Sequence, residues 1–156
     1  MEIYKQVRLF RKSLLSIDPE EFRFGLFSQF PKACCEYSSY LLAKFLVEEL
    51  DHKGIMMLRG ENRYKISQRH VWLRLGQMDI DITANQFSST AKTVFAEAHS
   101  EWHKRYRVFE QSIPDTSFNQ FHGEPKSDLL YDYKNILSRL KCLNKPKQQG
   151  PPAGTR

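Results

Sequence analysis

The chain has 156 residues, 40% of them hydrophobic and 13% aromatic, which suits one domain with its own buried core and excludes a disordered or fibrous polypeptide. No apolar run approaches the length of a membrane span. The net charge of +6 comes from basic residues scattered along the chain, so neither a membrane partner nor a nucleic-acid partner is expected. Three cysteines, Cys34, Cys35 and Cys142, make an odd count, and adjacent cysteines cannot easily meet the geometry of an ordinary disulfide. Free thiols in a reducing compartment follow, and with no uninterrupted apolar leader in "MEIYKQVRLFRKSLLSIDPEEF" the expected location is cytoplasmic.

In chain order, Ile3, Val7, Phe10, Leu14 and Ile17 recur at helical spacing and predict an amphipathic helix interrupted near Pro19. The loop "RFGLFSQFPKA" leads to a second helix, "CCEYSSYLLAKFLVEELDHKG". Its stripe is Leu41, Leu42, Phe45, Leu46 and Leu50, its stop is Gly54, and both cysteines fall in its first turn. The period then shortens. "IMMLRG", "RYKIS", "HVWLRL" and "MDIDIT", separated by Gly-Glu-Asn and Gly-Gln turns, predict an antiparallel meander.

"KTVFAEA" reads as one more strand followed by a short helix at "SEWHKRY" capped by Ser100, or as a single helix through both. Leu129, Leu130, Tyr133, Leu137, Leu140 and Leu143 predict a last helix. The predicted fold class is therefore α+β, with one domain over 1–144 and a disordered, basic, Pro/Gly-rich tail over 145–156.

The chemistry concentrates in "RHVWLRLGQMDIDITANQF". A two-residue turn at Gly76-Gln77 places Leu75 opposite Met78, Arg74 opposite Asp79, Trp72 opposite Asp81 and His70 opposite Thr83. His70, Trp72, Asp79, Asp81 and Thr83 then share one face, with Asp81 diagonal to His70. A carboxylate beside an imidazole, packed near the N-terminus of a cysteine-bearing helix, supplies the parts of an activated thiol. The helix end and a protonated His70 would stabilise the thiolate, Asp81 would orient the ring, and first-turn amides would receive an oxyanion. Asp79 has a simpler account as an ion pair with Arg74.

"FPKACCEYSSYLLAKFL" followed by "RHVWLRLGQMDIDITANQF" resembles the transglutaminase-like branch of the papain-like cysteine hydrolase superfamily. The likeness is to small bacterial proteins with an "FP-x-G-C-C…S-x-x-L" start and an "H-A-W-L…D-I-T-x-x-Q-F" block. It covers roughly residues 27–90 and rests on two motifs in the right order. The resemblance implies a papain/transglutaminase-like α+β core and a Cys-His-Asp triad of Cys35, His70 and Asp81. Cys35 is two residues after Ala33, the motif's glycine position, and six after Gln29, a spacing that implies an oxyanion-hole glutamine. Cys34 remains the alternative nucleophile, because both cysteines align with the apolar stripe of the helix. Trp72 and Gln86 are candidate substrate-binding residues. The chain departs from the motif at Ala33 and at Glu36-Tyr37, where a small-plus-acidic pair is usual.

Thiol-dependent acyl chemistry is thus the expected function: amide hydrolysis, deamidation or acyl transfer on a peptide, protein or other amide-containing substrate, with no cofactor and no metal. The alternative is a catalytically silent binding or immunity-type protein with the same fold. Adjacent cysteines do not match zinc-ligand spacing, and His99 and His103, four apart, read as a solvated helical face without the metalloprotease pattern.

Overall fold

The computed structural model describes residues 2–145, so the expected tail, apart from Lys145, lies outside the described residues. Three α-helices, α1 (Ile3–Leu15), α2 (Cys35–Lys44) and α3 (Glu124–Leu143), pack with a mixed set of short turns around a five-stranded antiparallel sheet. The strands are β1 (Ile55–Asn62), β2 (Lys65–Leu75), β3 (Met78–Asp81), β4 (Phe95–Ala98) and β5 (Tyr106–Ser112), in the order β4-β3-β2-β1-β5. None of the described helices is long and apolar enough to cross a membrane.

Strand alternation divides the interior in two. On one face Met57, Val71, Leu73 and Ile80 meet Val7, Phe10 and Leu14 of α1, Leu41 and Leu42 of α2, and Leu129, Tyr133 and Ile136 of α3. Each fully buried leucine or phenylalanine there contributes about 1.5–3 kcal/mol. On the other face Leu58, Trp72, Ala84, Phe95, Trp102 and Tyr106 form a second, aromatic cluster. His70 belongs to this second face with Trp72 and is fully buried.

The structure corrects several expectations. Cys34 is the N-cap of α2 and only Cys35 lies in its first turn. The second helix continues past Lys44 as a π-helical turn, Phe45–Glu49, and ends five residues before Gly54; just beyond it Asp51 takes a left-handed φ of 56° and His52 N–H donates to Leu46 O. "KIS" and "HVWLRL" are parts of one strand, because Gly60-Glu61-Asn62 extends β1 and the chain turns at Arg63-Tyr64 instead. "KTVFAEA" supplies a strand, whereas "SEWHKRY" forms only a 3-10 turn at His103–Arg105 and then enters β5, an edge strand that the sequence reading missed.

Gly60 explains one of these differences. It pairs with His70 across β1 and β2, and a Cβ on it would sit 2.8 Å from Tyr106 Cβ and 3.1 Å from the Trp72 ring. The glycine serves close packing rather than a turn. Gly60→Ala is therefore expected to destabilise the fold by about 1–3 kcal/mol through overpacking, as a fall in the urea midpoint at unchanged m-value.

Two features set the entrance to α2. Asp132, buried on α3, accepts hydrogen bonds from Arg23 N–H (2.9 Å) and Phe24 N–H (2.8 Å), tying down the loop that leads to the cysteines. Ala33 then takes a φ of 57°, in the left-handed region, immediately before the N-cap. That position favours glycine on backbone grounds alone, at a cost of about 1 kcal/mol for other residues, which accounts for the glycine in the motif.

Candidate active site

The Gly76-Gln77 turn sets the β2–β3 register, with Leu75 opposite Met78, Arg74 opposite Asp79 and Leu73 opposite Ile80. The β2–β3 ladder ends there, so the expected Trp72–Asp81 and His70–Thr83 pairs do not form: Asp81 pairs with Phe95 of β4, and Thr83 is the N-cap residue of a short 3-10 turn. The diagonal survives this ending: His70 Nε2 lies 2.6 Å from Asp81 Oδ2. A ring nitrogen facing a carboxylate donates to it, so Nε2 carries a proton. Asp81 Oδ1 accepts from Thr83 N–H at 2.9 Å and from its hydroxyl at 3.4 Å.

A second imidazole holds the same carboxylate oxygen. His103 Nε2 lies 2.7 Å from Asp81 Oδ2, and its Nδ1 lies 2.7 Å from Ser100 Oγ. His103 is buried rather than part of a solvated helical face, which corrects the sequence expectation; His99 remains exposed. The turn between β4 and β5 carries it inward. The segment "SEWHKRYRVF" gave little signal of this, because only Tyr106 of β5 is buried.

These contacts decide the charges. Burial alone would lower the His70 pKa, but the Asp81 charge and hydrogen bond, with smaller contributions from Cys35, raise it to about 9. Burial alone would raise Asp81, but the His70 charge and hydrogen bonds from both histidines hold it well below the usual carboxylate range. The result at neutral pH is a buried imidazolium paired with a carboxylate. His70 Nδ1 is shielded and has no hydrogen-bond partner among the described residues. Cys35 is close enough to raise the ring's pKa, in a contact looser than a formed hydrogen bond.

The two cysteines differ sharply. Cys34 is fully buried, its thiol donates to Leu26 O at 3.1 Å, and burial, with the neighbouring Cys35 charge, pushes its pKa up to about 12. Cys35 is half-buried at the first helical position of α2. The two residues after it have partners of their own: Glu36 pairs with Arg59 at 2.7 Å, and Tyr37 packs on Phe24 with ring centroids 4.5 Å apart.

The remaining candidates have other surroundings. Trp72 is fully buried, which places it in the core rather than on a substrate cleft; its indole N–H donates to Asp79 at 2.9 Å and its ring stacks on His70 at 5.7 Å. Asp79 also holds Arg74 at 2.9 Å, as the simpler account expected. Gln29 ends the 3-10 turn Gly25–Gln29 and is exposed. Gln86 is half-buried with its amide nitrogen shielded and unpartnered among the described residues, next to Phe87, whose ring stands edge-on to His70 at 5.2 Å.

His70, Asp81 and His103 also bring three ligand-type atoms within 4.8 Å of one another. Both Nε2 to Oδ2 separations are hydrogen-bond distances, and Thr83 engages the other carboxylate oxygen. A cation between them would require both rings to give up those protons and draw apart, so the set fits a hydrogen-bonded relay better than a coordination site. No protein-family model matches the chain, and no curated protein or solved structure matches it.

Proposed function

We propose that the protein performs thiol-dependent acyl chemistry through Cys35, His70 and Asp81, on a papain/transglutaminase-like core. The observation that carries this reading is the buried His70: Nε2 is bound to Asp81 at 2.6 Å, Nδ1 is left unpartnered, and Cys35 approaches the ring from a helix start. A ring held charged beside a sulphur favours the thiolate, and the positive end of α2 adds to it.

In such a cycle the Cys35 thiolate attacks the carbonyl carbon of an amide. The carbonyl π pair moves onto oxygen, where first-turn amides of α2, such as those of Cys35 and Glu36, are placed by helix geometry to donate. His70 then gives its proton to the leaving amine as the carbon–nitrogen bond breaks, and Asp81 retains the ring's orientation. Water or an amine, deprotonated by the now neutral His70, resolves the thioester and restores Cys35.

The reading is tested by the pH dependence of iodoacetamide labelling, followed by mass spectrometry. Wild type and Cys34→Ala are expected to label quickly at one site below pH 7, and Cys35→Ala to lose that labelling. His70→Ala is expected to slow it on the order of 10²-fold or more, the scale of losing a positioned acid–base group. Slow labelling with an ordinary thiol profile in the wild type would refute the enzyme reading and leave the silent binding protein.

A further inference from the structure

We propose that His103 is a positioning residue of this site: it clamps Asp81 from the side opposite His70 and, through Ser100, keeps its own tautomer fixed for that task. The inference rests on the thiol reading above. The two imidazoles approach one carboxylate oxygen at 2.6 and 2.7 Å, with ring centroids 6.3 Å apart, so Asp81 is held between two donors rather than hinged on one.

The tautomer follows from the hydrogen bonds. Ser100 Oγ accepts from His103 backbone N–H at 3.4 Å, leaving its own proton for His103 Nδ1 at 2.7 Å. The imidazole proton then sits on Nε2, where it meets Asp81. Ser100 N–H donates to Asp79 at 3.3 Å, and Asp79 binds Trp72 and Arg74. A continuous chain of polar contacts therefore runs from surface Arg74 through Asp79, Ser100, His103 and Asp81 to His70. Among the described residues, His70 Nδ1 is the one buried side-chain polar atom of that chain without a partner, and networks this nearly satisfied rigidify the groups they connect. Other ionisable groups around the cluster are Cys35 on α2, Asp79 on β3, Arg105 on the 3-10 turn, Tyr106 at the start of β5, and Arg63, His99 and Lys104, which line the cavity beside His103.

His103 is also approachable without passing Cys35. Together with Ser100, Arg63, Lys104 and Tyr106 it lines a cavity of about 560 Å³, large enough to admit a small heterocycle to the space a truncated His103 would vacate. That geometry provides a rescue test.

The experiment measures the iodoacetamide labelling rate of Cys35 from pH 5 to 9 in wild type, His103→Ala, His103→Gln and Ser100→Ala, with circular dichroism to verify folding. His103→Ala is expected to lower the rate at pH 5.5 by about 10–100-fold, the usual scale for loss of a supporting partner. It should also move the acid limb of the profile to higher pH, and millimolar imidazole should recover part of the loss. His103→Gln keeps a donor facing Asp81 and is expected to stay within about threefold of wild type. A folded His103→Ala with the wild-type profile would overturn the proposal while leaving the thiol reading standing. If His103→Ala fails to fold, Ser100→Ala decides: a shifted acid limb supports the proposal, and an unchanged one overturns it. An ordinary thiol profile in the wild type would defeat both.

Discussion

Asp81→Ala is expected to lose about 3–5 kcal/mol of folding free energy, because it strands two buried imidazoles that share one counter-charge. Both are at most 2% exposed. The chemical effect should be separable from the folding effect. In wild type, burial works against the His70 proton and the Asp81 charge overrides it. Without the carboxylate, burial is opposed only by the smaller contributions of Cys35, so the ring's pKa falls and the thiolate's cationic partner is weakened. Asp81→Asn keeps the volume but loses the charge, and because both imidazole N–H groups point at one oxygen and Thr83 N–H at the other, its amide NH2 must oppose a donor on one side or the other. Its low-pH labelling rate is expected to fall by about 10²–10⁴-fold, the scale seen when such an aspartate becomes an amide, with a smaller stability loss than Asp81→Ala. Equal rates for Asp81→Asn and wild type would show that the carboxylate does not tune the thiol.

The second large effect is on stability against pH. His70 has a folded-state pKa of about 9, above its ordinary 6.5. Its contribution is therefore fully present below about pH 6.5 and lost as pH rises through 9, at about 1.4 kcal/mol per pH unit while only the folded state keeps the proton. Asp81 works in the opposite direction: its pKa is depressed, so its contribution is present above the ordinary carboxylate range and lost on acidification. Stability should peak between about pH 4.5 and 6.5, unusually acidic for a protein with a net charge of +6. The buried Cys34 thiol, pushed up to about 12, adds to the alkaline loss only above its ordinary range, near pH 8.5. Urea unfolding from pH 5 to 9.5 checks this. His70→Gln should flatten the decline between pH 6.5 and 8.5, and an undiminished slope in that variant would assign the decline elsewhere.

The central pairing was legible in the sequence because a two-residue turn leaves little freedom. Once Gly76-Gln77 turns, Arg74 must meet Asp79, and the faces of His70 and Asp81 follow. The Cys35 helix was legible from its apolar stripe, although periodicity left the two thiols equivalent. Burial and the Leu26 carbonyl separate them, and both depend on how the preceding loop folds back. β5 was missed for a different reason. Only Tyr106 on it is buried, and Phe109 through Gln111 are exposed, so an edge strand of this kind carries almost no alternation. His103 was lost with it, since its inward turn is dictated by the strands on either side. Gly60 misled because a glycine before Glu-Asn looks like a turn, while the ring and Cβ that require its small size come from Trp72 and Tyr106, far away in sequence.

The left-handed backbone at Ala33 also bears on how this chain can diverge. What position 33 demands is a dihedral angle, so glycine, alanine, asparagine and aspartate are interchangeable there to within about a kilocalorie, with Cys34 and Cys35 left in place. Valine, isoleucine or threonine cannot follow, because a branched Cβ meets the carbonyl in that conformation. Position 33 is thus free in side-chain chemistry and constrained in backbone shape.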